Sequence, residues 1–110
     1  MPGLHYRSPH AWLIPMLPDK RIPTHPGKVL RAEFLEPLGL TQVAFAEHLG
    51  VSTQRINELV RGKRGVTPEN AWLLAQALGA TPEFWLNLQM HYDLARYRPK
   101  RLVEPVATVV

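Results

Sequence analysis

The run from Ser52 to Arg64 concentrates side chains that make directional hydrogen bonds. At helical spacing, Ile56, Leu59 and Val60 fall at i, i+3 and i+4 and define one apolar face. Thr53, Gln54, Asn57 and Glu58 share the opposite face, and Arg61, Lys63 and Arg64 follow at its far end. Gln and Asn amides pair bidentately with adenine, a Glu carboxylate accepts from cytosine N4, and an Arg guanidinium pairs with guanine. These groups occupy the N-terminal half of a helix, the part a recognition helix presents to base edges in the major groove. A plainer reading is a solvated polar face, with Arg61 answering the negative end of the helix dipole.

The segment just before this run separates the two readings. Thr41 is placed to cap one short helix, and Gly50 ends it in a tight turn that calls for positive φ. Val51 is expected to plug that turn into the core, and Ser52 caps the next helix only two residues after the glycine. Two short helices joined by a glycine-containing turn of 3–4 residues form a helix-turn-helix unit. Ala46, Val51, Ile56 and Leu59 supply the apolar contacts between them. On this reading Thr53, Gln54, Asn57 and Glu58 face bases. Gln42, in the first turn of the earlier helix, and Ser52 lie where free N–H groups face a phosphate. Arg61, Lys63 and Arg64 reach a second phosphate, setting register and affinity without reading sequence.

Catalytic and metal chemistry find no comparable pattern. The histidines His5, His10, His25, His48 and His91 are scattered, with no i, i+4 pair. The acidic residues form no obvious dyad, and no glycine-rich phosphate loop is present, so neither an enzyme nor a cofactor is expected. The absence of cysteine excludes disulfides, thiolate metal sites and cysteine nucleophiles. No apolar run approaches the ~20 residues of a membrane span, and "HAWLIPML" is too short and too broken by Pro15 for a signal peptide. The formal charge of +4 suits a polyanionic partner. The cations cluster at residues 61–64 and at Arg96, Arg98, Lys100 and Arg101.

These residues need a scaffold, and the punctuation of the chain predicts an all-α one of five helices. The first runs from about Pro26 to Glu36, with Val29, Leu30, Phe34 and Leu35 inward, and is ended by Pro37 and Gly39. The second lies between Thr41 and Gly50, with Val43, Ala44, Ala46 and Leu49 available to the core. The third lies between Ser52 and Gly62. Thr67-Pro68-Glu69 and Thr81-Pro82-Glu83 repeat one helix-start signature, with Thr as N-cap, Pro at the first position and Glu near the positive dipole end. The fourth helix packs Ala71, Leu74, Leu78 and either Trp72 or Ala75. The fifth carries Phe84, Trp85, Leu88, Tyr92 and Leu94 until Pro99 stops it. Residues 1–26 hold six of the eleven prolines and read as an extended arm.

The run "LTQVAFAEHLGVSTQRINELVRGKRGVTPENAWLLAQALGATPEFWLNLQMHYDLARYR" resembles Xre/Cro-type (lambda-repressor-like) helix-turn-helix proteins. The leader "THPGKVLRAEFLEPLGLT" and the stretch "GATPEFWLNLQMHYDL" are similar to HigA-type antitoxins within that family. The likeness covers about residues 22–98. It implies a bacterial, cytoplasmic, nucleoid-associated homodimer that binds a palindromic operator and represses its own operon. It also implies a HigB-like mRNA-endonuclease toxin as partner; a free-standing regulator without a toxin is the alternative. In Xre/Cro proteins the positions matching Gln42, Thr53, Gln54 and Glu58 commonly meet DNA, Gln42 at the backbone and the others at bases. Arg55, by its neighbours, flanks that face and is assigned to a phosphate.

The chain therefore divides into an arm (1–21), a helix-turn-helix domain (22–98) and a tail (99–110). Trp12, Leu13, Ile14 and Leu17 in the arm are read as contacts to the toxin or to a second copy, with packing on their own domain as the alternative. Trp85 and Tyr92 on the fifth helix serve either the core or a dimer interface. The β-branched tail "RLVEPVATVV" is open to a strand, a docked segment or a loose end.

Overall fold

In the computed structural model residues 23–107 are described, and among them the ordered elements are all helical. The arm residues Trp12, Leu13, Ile14 and Leu17 lie outside the described residues. Helix α1 (residues 26–38) opens with the turn Pro26–Val29, widens into a π-helical segment Leu30–Leu35 and closes with Glu36–Leu38. Helices α2 (Gln42–Leu49), α3 (Thr53–Val60), α4 (Pro68–Leu78) and α5 (Pro82–Arg96) follow.

The starts of α2 to α5 are capped by side chains named in the sequence. Thr41, Ser52, Thr67 and Thr81 each accept a hydrogen bond from the backbone N–H three residues on. These bonds satisfy donors that every helix start leaves free. Gly39, Gly50 and Gly79 close α1, α2 and α4 in the left-handed region, where a Cβ is strained.

Pro37 does not end α1, contrary to the sequence expectation. In an α-helix a proline ring strikes the carbonyl four residues back. Here the preceding turn is widened to i→i+5 bonding, with Glu36 N–H donating to Arg31 O, and the helix continues to Leu38 and Gly39. A widened turn relieves that clash and carries the chain through the proline.

The core gathers Leu30, Leu35, Phe45, Ala46, Ile56, Leu59, Val66, Ala71, Leu74 and Trp85, from all five helices and the α3–α4 loop. Trp85 is fully enclosed, with Phe34 and Phe84 against its ring at centroid distances of 5.3 and 5.0 Å. On α2 the inward residues are Phe45 and Ala46. Ala46 and half-buried Leu49 pack inward as expected, but Val43 is 53% exposed and Ala44 also faces solvent, so only part of the face assigned from sequence is buried. Eight residues make barely two turns, and two adjacent apolar faces compete over so short a span. On α4, Ala75 is half-buried and Trp72 is 58% exposed, which resolves the alternative left by the sequence. On α5, Leu94 is exposed near the helix end. Beyond Pro99 the described tail is irregular and exposed.

Candidate nucleic-acid interface

Helices α2 and α3 are set against each other by a turn of residues 50–52. Gly50 takes φ 75°, its N–H donates to Glu47 O, and Val51 N–H donates back to Ala46 O at 3.0 Å. The same closure ends α3: Gly62 takes φ 74°, its N–H donates to Leu59 O, and Lys63 N–H donates to Glu58 O at 2.8 Å. These paired bonds are Schellman closures. The first turns the chain from α2 into α3; the second reverses the chain after α3 and brings Arg64 back to Glu58.

The buried stripe of α3 is Ile56 and Leu59, with Val60 half-buried and packed on the core. Thr53 and Gln54 are exposed at its N-terminal end, and Asn57 and Glu58 are half-buried beside them. The four predicted reading residues therefore share one face. Two links brace it. Asn57 Nδ2 donates to Gln42 Oε1 at 3.1 Å, joining α3 to the first turn of α2. Gln54 Nε2 donates to Glu58 Oε2 at 3.1 Å, one helical turn apart.

The predicted phosphate ligands divide in two. Gln42 stands at the start of α2, Ser52 is exposed with its hydroxyl engaged as the α3 cap, and Arg61 and Lys63 are exposed at the far end of α3. Two arginines are held by protein partners. Arg55 Nη1 donates to Oδ1 of buried Asn70 on α4, at 3.3 Å. Arg64 donates from Nε and Nη2 to Glu58 Oε1, at 3.1 and 2.8 Å. The Arg64 guanidinium, and after it the Gln54 amide, hold the Glu58 carboxyl below the usual carboxylate range.

Trp85 sits wholly inside the core, which leaves it no surface for a partner. Half-buried Tyr92 packs edge-on against His25 at 4.8 Å and accepts a hydrogen bond from Arg96.

Three supporting residues escape the sequence reading. His25 Nδ1 accepts from Gly27 N–H at 2.9 Å and caps α1. Gln89 on α5 accepts from Val66 N–H at 2.7 Å and ties down the α3–α4 loop, while its amide donates to Asp93. Asn70 receives Arg55. Gln89 and Asn70 are polar residues beside apolar stripes, and His25 directly precedes Pro26, a helix-start position at which a surface or capping role is the expectation for a histidine.

A family model described as helix-turn-helix matches residues 32–86, half of the chain. Antitoxin HigA-1 of Vibrio cholerae is 49% identical over 80 residues, 72% of this chain and 74% of the relative. The chain belongs to the HigA-type branch of the Xre/Cro helix-turn-helix family. Virulence-associated protein I of Dichelobacter nodosus is likewise 49% identical, over 64% of this chain and 65% of its own length. Among solved structures, PA4674 of Pseudomonas aeruginosa in complex with its 18-bp operator DNA superposes with a TM-score of 0.71 at 34% identity. That match covers 76% of this chain and 97% of the other. HigA-type membership places the α2–α3 unit among DNA-binding regulators rather than enzymes.

Proposed function

We propose that the chain is the antitoxin of a type II toxin–antitoxin pair, a sequence-specific repressor that binds operator DNA through α3 and neutralises a HigB-like mRNA endonuclease. The single observation that carries the DNA half is the braced polar face of α3, with Thr53 and Gln54 exposed and Asn57 held by Gln42. On this reading α3 lies in the major groove. Thr53, Gln54 and Asn57 offer donors and acceptors to base edges on the face that also carries Glu58. Gln42, Ser52, Arg61 and Lys63 flank that face and hold phosphates. A homodimer presents two such faces to a palindromic operator, with half-sites about one helical turn, ~34 Å, apart. Exposed Met90, Leu94 and Tyr97 offer apolar surface for pairing near α5. The protein acts in the bacterial cytoplasm, on nucleoid DNA.

The toxin half rests on membership in the HigA-type branch and on the naming of the Vibrio cholerae relative as an antitoxin. Co-expression with the product of the adjacent reading frame tests it. The expected result is a stable complex that abolishes RNA cleavage by that product. Undiminished cleavage, with operator binding intact, identifies a free-standing regulator instead.

A further inference from the structure

We propose that Arg64 reads a guanine in the major groove, and that Glu58 acts as a positioning residue that aims both Arg64 and Gln54 at the bases. The inference rests on the DNA-reading role of α3 and assigns the groups within it.

The argument begins with the backbone. Gly62 in the left-handed region and the Lys63 N–H···O Glu58 bond reverse the chain after α3. That reversal returns residue 64 over residue 58 instead of leading it away from the helix. Arg64 then makes two charge-assisted bonds to a single carboxylate oxygen, Glu58 Oε1. Gln54 occupies the other oxygen, Oε2. Glu58 is thus engaged on both oxygens by the protein itself. A cytosine N4 would have to compete with bonds already made.

Arg64 remains well supplied. A guanidinium carries five N–H donors, and Nε with one N–H of Nη2 serves Glu58. Among the described residues no partner takes the Nη1 group or the second N–H of Nη2, an adjacent pair that forms the fork matching O6 and N7 of guanine. The side chain is 43% exposed. Its anchor lies one turn from Gln54 on the outward face of α3, among the reading residues.

Charge argues the same way. A phosphate anchor contributes by bringing an uncompensated positive charge to the backbone. The charge of Arg64 is largely cancelled by Glu58 at 2.8 Å. Lys63, exposed and just before Arg64 in the chain, suits that role. The pair delivers a directed donor at little net charge, which is useful for selectivity and of little use for non-specific affinity.

The test uses the full-length chain and a randomised DNA duplex pool enriched on the wild-type protein. Base preference at each position, and affinity against salt from about 50 to 200 mM, are compared for wild type, Arg64→Ala, Glu58→Gln, the double variant and Gln54→Ala. Arg64→Ala is expected to erase a guanine preference at one position per half-site, about ten- to a hundredfold, with a salt slope little changed. Glu58→Gln is expected to blur the same position and the Gln54 position together, while binding scrambled duplex at least as tightly as wild type. The double variant should be no worse at the guanine position than Arg64→Ala alone. The proposal is overturned if Arg64→Ala weakens all sequences equally and lowers the salt slope by the ~0.9 of one phosphate contact. It is also overturned if Glu58→Gln changes only a cytosine preference. Should Gln54→Ala also leave every preference unchanged, the reading role of α3 itself fails, which separates that failure from one confined to Arg64 and Glu58.

Discussion

His25 shows how much a single side chain carries in a domain this small. Its Nδ1 accepts from Gly27 N–H, so the ring must keep that nitrogen unprotonated to cap α1. Burial lowers its pKa from 6.5, Asp93 of α5 opposes that effect, and Arg96 of α5 reinforces it; Tyr92 of α5 covers the ring edge-on. A depressed pKa means that the unfolded chain binds the proton more readily. Stability is then complete above pH 6.5 and is lost as the pH falls through 6.5 toward the folded-state value. Chemical denaturation at pH 7 and pH 5 should show wild type losing stability between them. His25→Asn keeps a capping acceptor but cannot titrate, so its loss should be smaller. An equal loss in both proteins would remove His25 from the account.

Gly27 makes a similar point at the scale of packed elements, where α1 meets α3. A Cβ built on this residue falls 1.7 Å from Leu59 O, a backbone atom of the reading helix that cannot step aside. Gly27→Ala should therefore destabilise the fold by about 3 kcal/mol or more, read as a shift in the denaturant midpoint. A neutral outcome would mean that α1 does not fix the position of α3. Trp85 tests the other side of the core. Removing the ring in Trp85→Ala should cost about 3–5 kcal/mol. Trp85→Phe should cost much less, because among the described residues the Trp85 Nε1 has no hydrogen-bond partner to lose.

The helix starts were legible from Thr41, Ser52, Thr67 and Thr81 because capping depends on local chain geometry alone. The passage of α1 through Pro37 was not legible, since it depends on a widened turn that no residue type announces. The inward face of α2 was legible at Ala46 and Leu49 but misjudged at Val43 and Ala44 for a related reason. Phe45 is buried by its tertiary neighbours in the core, and a span of eight residues holds too little periodicity to show that. At the reading face, the residue types and their shared side were readable from helical spacing. The pairing of Glu58 with Arg64 was not, because it depends on the chain reversal at Gly62.

For the whole molecule, the decisive property is a basic protein that brings a braced polar helix to a polyanion. On the proposed function, the formal charge of +4 supplies attraction, which salt screens, and the α3 face supplies selection. The two separate by substitution. Lys63→Ala should weaken binding to every duplex alike and lower the salt slope by about 0.9, one phosphate contact. A titration series against salt checks this, and an unchanged slope would take Lys63 off the backbone.

Gln54 offers the most direct test, because it is exposed at the start of α3 and belongs to no part of the core. The measurement is the base-preference profile of Gln54→Ala beside that of wild type, on one enriched duplex pool at one salt concentration. The account predicts relaxed discrimination at one base pair per half-site, worth about 1–3 kcal/mol, with the other positions retained. An unaltered profile would contradict the placement of α3 in the major groove.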